Sequence, residues 1–163
     1  MHKLQEQYLF LARHNIHSAE ELVGTIASLT DKKKETSAEK SRIYKARERS
    51  MELFTAADEM ENLKPAEQSY RLGDIFFEDE HRKWVALEQE LQAQGYSLEE
   101  VQALRRHYKE EYSEVCAREK VVCRELNTGK AILNSMIPDS ISDGRKTEYN
   151  REIIRDRKEQ PVR

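Results

Sequence analysis

The chain has little of what makes turns, cross-links or a thick core. Its 163 residues include 5 Gly, 3 Pro, 2 Cys and 1 Trp, with 37% apolar and 36% charged side chains. That balance excludes a deep globular core and suits narrow seams between long helices whose outer faces carry the charge. No apolar run approaches the roughly 20 residues that a membrane span needs. The N-terminal MHKLQEQYLFLARHN lacks the apolar core and small-residue cleavage site of a signal peptide; it reads as a short amphipathic helix through Leu4, Tyr8 and Leu11. A cytoplasmic protein with no membrane partner is expected. Cys116 and Cys123 stand seven residues apart, about 10 Å along one helix. That is too far for an intrachain bridge, so they are expected to be thiols flanking a seam. The net charge of −3 excludes a polyanion binder of uniform surface and leaves only a local patch for that role.

What is present is periodicity. Val101, Tyr108, Val115, Val122, Gly129 and Met136 recur every seven residues, the repeat of a long helix packed lengthwise on another. Leu104, Tyr112, Leu126, Ile132 and Leu133 widen the stripe, and Gly129 is a place where the helix is open to a break or kink. Ser97-Leu-Glu-Glu100 forms a capping box at its start, with Tyr96 and Val101 as a hydrophobic staple. Gly95 ends the preceding helix. The turn is short enough to make the two helices antiparallel neighbours, which sets Phe77, Trp84 and Leu91 against the first half of the Val101 stripe. Earlier, Ser18-Ala-Glu-Glu21 is another capping box, so a helix is expected from Ala19. If continuous it reaches Lys64, although the polar TDKKKETSAEKS leaves room for a turn. Pro65 suits the first turn of a short helix, AEQSYRL, with Gly73 as its C-terminal cap and Asp74 capping the next.

The expected architecture is therefore all-α: an antiparallel, coiled-coil-like hairpin of two long helices with shorter ones. Its divisions are residues 1–17 (a short helix), 18–137 (the hairpin) and 138–163. The last is a polar tail expected to be mostly disordered, with a helical fragment around Tyr149–Arg157.

Catalytic and metal motifs are missing. His14-x-x-His17 straddles a helix end with no third ligand near it. Glu78-x-x-His81 is half of the motif by which helix bundles hold two irons, and the other half is absent. Thr128-Gly129-Lys130 fails as a P-loop, because Arg124 stands where the first glycine belongs and Ala131 follows the lysine. No cofactor, metal or catalytic residue is assigned, and no enzyme is expected.

The remaining signal is electrostatic. Residues 32–49 hold eight bases against three acids, a local charge of +5. Lys33, Lys40 and Arg47 fall at sevens, in line with Ile26 and Phe54, while Glu111, Arg118 and Glu125 fall in line with Leu104 and Ile132. These six are expected to pair as charged layers in the seam, which takes precedence over DNA contact at those positions. Lys34, Lys45 and Arg49 point outward and stay available for phosphates.

The stretch MHKLQEQYLFLARHNIHSAEELVGTIASLTDKKKETSAEKSRIYKARER resembles the helical region downstream of the nuclease domain in relaxases, the mobilisation proteins of conjugative and mobilisable elements. It shares a short helix, an apolar-x-Ser/Thr-x-Glu-Glu/Asp-Leu step, and a long charged helix with Lys-Lys repeats and an Arg-Ile-Tyr-Lys segment. RELNTGKAILNSMI resembles the close of such regions, so the likeness runs from about Leu4 to Ile137. The family's nuclease uses a histidine cluster and a nucleophilic tyrosine, neither of which carries over. The resemblance implies a non-catalytic accessory region that supports DNA transfer through DNA, relaxosome or transfer-machinery proteins, or a second copy of itself. The alternative is a coiled-coil scaffold or dimerisation module with no nucleic-acid role.

Overall fold

A computed structural model describes residues 2–137. Among them are five α-helices and one 3-10 turn, with no strand: α1 (His2–Arg13), α2 (Ala19–Arg49), α3 (Met51–Arg71), a 3-10 turn at Ile75–Phe77, α4 (Glu78–Ala93) and α5 (Leu98–Met136). The fold is all-α. No helix of the described residues is long and apolar enough to cross a membrane. The expectations for 138–163 lie outside the described residues.

Three helices end on one residue in the left-handed region. Asn15 (φ 53°), Gly73 (φ 102°) and Gly95 (φ 86°) follow α1, α3 and α4. In each turn this residue and the next donate back to the helix just ended: Asn15 and Ile16 to Ala12 and Leu11, Gly73 and Asp74 to Tyr70 and Ser69, Gly95 and Tyr96 to Gln92 and Leu91. This is the Schellman arrangement, in which two orphan carbonyls are satisfied by a φ that glycine or asparagine adopts at least cost. Starts are equally local. Ser97 and Glu100 form the full reciprocal box, Glu100 N–H to Ser97 Oγ at 3.2 Å and Ser97 N–H to Glu100 Oε2 at 2.8 Å. At α2 only half the expected box forms. Ser18 Oγ accepts from Glu21 N–H, but the Glu21 carboxylate takes the His17 N–H, one residue earlier, at 2.6 Å.

Two expectations about helix ends are corrected. The helix from Ala19 runs through the polar stretch and stops at Arg49, not Lys64. At Ser50 the backbone (φ −95°, ψ 4°) leaves the helix for one residue; its N–H bonds Arg47 O and its hydroxyl bonds Ala46 O at 3.2 Å. A serine hydroxyl that back-bonds this way bends helices. Pro65 does not start a helix; it lies inside α3. The helix spans it because packing on both sides holds the segment against the loss of one hydrogen bond.

The chain divides into two compact units. One takes the described residues up to Lys33 and from Val121 on; the other is Lys34–Lys120.

In the first unit Phe10, Ile16, Leu22, Ile26, Leu29, Leu126 and Ile132 form the core, with Leu11 and Leu133 against it. Gly129 is buried in an unbroken helix, not at a kink. A Cβ there would meet Ile26 Cγ1 and Phe10 Cζ, each at 3.1 Å, so glycine allows α1 and α2 to approach α5. Phe10 is the buried residue of α1, whereas Leu4, on its expected apolar face, is 76% exposed.

In the second unit Leu53, Phe54, Ala56, Ala57, Met60, Trp84, Leu91 and Val101 form the core, with Leu104 and Tyr108 beside it. Trp84 and Leu91 thus join the Val101 stripe as expected, and Phe77 does not. It belongs to the 3-10 turn and meets Phe76 edge-on, centroids 5.3 Å apart. Arg105 ties α5 to α3, bonding Asp58 at 2.7 Å and the Phe54 carbonyl at 2.9 Å.

Candidate nucleic-acid interface

The C-terminal half of α2 belongs to the second unit, and its two sides differ in kind. Thr36 is buried and Ile43 and Ala46 are half-buried, whereas Lys34, Arg42, Lys45 and Arg49 are exposed. At 3.6 residues per turn these four bases fall within about 80° of one another and span about 22 Å, turned away from Thr36 and Ile43. Between them stand the small Ala38 and Ser41. Lys34, Lys45 and Arg49 are therefore outward, as expected, and Arg42 joins them. Its spacing from Lys45 and Arg49, three and seven residues, was there to be read in the sequence.

The ion pairs of this stretch are made by its neighbours. Lys40 Nζ lies 2.9 Å from Glu119 Oε2, and Arg118 lies 2.8 Å from Glu39. Ser37 Oγ donates to the other Glu119 oxygen at 3.2 Å. The hydrogen bond from Arg118 holds the Glu39 carboxyl below its ordinary pKa, and the one to Glu119 raises that of the Lys40 ammonium. Charged layers between α2 and α5 thus exist here. Lys40 and Arg118 belong to the expected set, and their partners Glu119 and Glu39 do not.

Two of the other expected seam charges pair elsewhere. Glu125 meets the end of α1, at 2.7 Å from Arg13 and 3.4 Å from His14, the residue after it. Glu111 pairs along its own helix with His107 at 3.3 Å. Lys33 and Arg47 are exposed. The stripe of α5 carries charges at sevens, but a straight helix advances 3.6 residues per turn and rotates such a row off the seam.

Beside the basic face runs a groove of ≈ 470 Å³ lined by Ser37, Lys40, Ser41, Tyr44, Lys45, Tyr112 and Glu119. Lys40 Nζ stands 5.9 Å from the Tyr112 ring centroid. Tyr44 is 51% exposed. By sequence Tyr112 reads only as part of the apolar stripe of α5, and Tyr44, a lone aromatic on a polar stretch of α2, carries no periodic signal.

A second polar cluster, between α3 and α4, also escaped the sequence reading. Glu67 is only 3% exposed. Its carboxylate accepts from Arg71 Nε at 2.7 Å and lies 2.7 Å from His81 Nδ1, and the His81 ring stacks on Tyr70 at 4.2 Å. Burial pushes the Glu67 carboxyl up, yet its bonds to His81 and Arg71 outweigh that and leave it below the ordinary value. The signal was available: Leu53, Met60 and Glu67 recur at sevens, which puts a carboxylate on a core row. Glu78, which shares the Glu78-x-x-His81 spacing with His81, pairs with Arg82 instead at 2.7 Å. Among the described residues no three His, Cys, Asp or Glu side chains converge as metal ligands. Cys116 and Cys123 are half-buried free thiols.

Comparison with protein-family models, curated proteins and solved structures returns no match.

Proposed function

We propose that the chain is a non-catalytic helical module that holds DNA through its phosphates, serving as the accessory region of a relaxase in plasmid or transposon mobilisation. The carrying observation is the outward face of Lys34, Arg42, Lys45 and Arg49, a row of exposed cations on a chain of net charge −3. A bare helix face of this kind displaces counterions from phosphates and reads no bases. Affinity should therefore be sequence-independent and steep in salt. Four contacts give a log–log slope of roughly −3 to −4 on duplex.

The test is DNA binding by fluorescence anisotropy across a salt series, comparing the natural chain with Lys34, Lys45 and Arg49 all changed to Gln. The slope should shrink by about one per lost contact. Equal affinity and slope in the triple variant would sink the reading.

A second reading, a protein-contact scaffold or dimerisation module, is favoured by exposed apolar side chains: Leu4 and Tyr8 on α1, and Leu72, Ile75 and Phe76 around the α3–α4 turn. It requires a defined oligomer in light scattering together with no DNA binding.

A further inference from the structure

We infer that the groove beside the basic face is a stacking subsite for an unpaired base, so that this face prefers single-stranded DNA to duplex. The inference rests on the DNA-holding reading above and adds the form of the ligand. Ser37, Ser41 and Tyr44 follow one another at four and three residues along α2, one side of the helix. The two serines are small, Tyr44 beside them is 51% exposed, and Tyr112 and Glu119 of α5 line the same groove. The groove's ≈ 470 Å³ lies within the roughly 300–1,000 Å³ of small-ligand pockets.

The electrostatics select what enters. Glu119 is committed to Lys40 and Ser37, which removes its charge as an obstacle. Lys45 lines the groove and also belongs to the outward basic row. A strand whose phosphates follow Lys34, Arg42, Lys45 and Arg49 can therefore lay one base against Tyr44 beside Lys45. Duplex bases are already stacked on their neighbours and cannot do so; an unpaired base of any identity can, because each has a π-face.

The test uses the full chain with fluorescein-labelled oligo-dT and a duplex of equal length, at one fixed salt concentration and then over a series. Tyr44→Ala should weaken oligo-dT binding roughly 5- to 100-fold, leave duplex binding within about twofold and leave the salt slope unchanged, because no phosphate contact is lost. Tyr44→Phe should restore oligo-dT binding, since the ring and not the hydroxyl stacks. Equal oligo-dT affinity in Tyr44→Ala, or an equal loss on duplex, overturns the subsite while the DNA-holding reading stands. Absence of binding to either DNA by the natural chain overturns both.

Discussion

Glu67 shows how much one side chain can ask of its neighbours. A carboxylate 3% exposed survives in this protein because Arg71 and His81 occupy both of its oxygens; a buried charge left unpaired would cost several kcal/mol. Its folded pKa lies below the ordinary value, which fixes the sign of its pH dependence. The stabilisation is complete above the unfolded glutamate pKa, about 4.3, and is lost as pH falls through the lower folded value. Glu39 and Asp58, lowered chiefly by their bonds to Arg118 and Arg105, act in the same direction. Glu67→Gln should lower stability at pH 7 by about 1–2 kcal/mol and flatten the acid limb below about pH 4.3. Urea melts at pH 7 and pH 3.5 measure both; an unchanged difference between the two pH values would remove Glu67 from the account.

At the scale of the helix, two glycines sit in interiors and do opposite things. Gly24 is exposed in α2 with nothing within 4 Å of its missing Cβ. Gly24→Ala should raise stability by about 1 kcal/mol from helix propensity alone. A Cβ on Gly129 would meet Phe10 and Ile26 at 3.1 Å, so Gly129→Leu should destabilise by about 1–3 kcal/mol or more through overpacking. Thermal unfolding of the pair gives the answer; two shifts of the same sign would contradict this assignment.

The same contrast marks what was legible. Helix starts with side-chain caps and the glycine stops at Gly73 and Gly95 were readable, because local hydrogen bonds set them. The Gly129 row of sevens was readable, but its meaning was not. Whether a helical glycine is a weak point or a close approach depends on which partner arrives, and Phe10 comes from over a hundred residues away. The stop at Ser50 and the passage through Pro65 were not readable for the same reason: tertiary packing overrides the propensity of a single residue.

At the scale of the molecule, each unit carries its own core, seven buried side chains led by Leu22 in one and eight led by Met60, Leu91 and Val101 in the other. Separate cores lend themselves to separate openings. Leu22→Ala should cost about 2–5 kcal/mol and lower amide protection around Phe10, Ile26 and Leu126, while amides around Met60 and Leu91 keep theirs. Hydrogen exchange read residue by residue distinguishes this from a uniform loss, which would mean one cooperative body. Charge at this scale was only half legible. The +5 stretch stood out by composition, but its division into an outward row and an inward set depended on Glu119 and Glu39, which the seven-residue count did not put in the seam. The groove at Tyr44 needed α5 for its second wall and so had no signature in α2 alone.

The three left-handed turns carry one more implication. Asn15, Gly73 and Gly95 each end a helix with the backbone bonded back into its last turn. Proteases cut where exposed backbone hangs slack, and at these three turns those hydrogen bonds hold it. A protease acting at one of these turns should have to wait for the preceding helix end to lift.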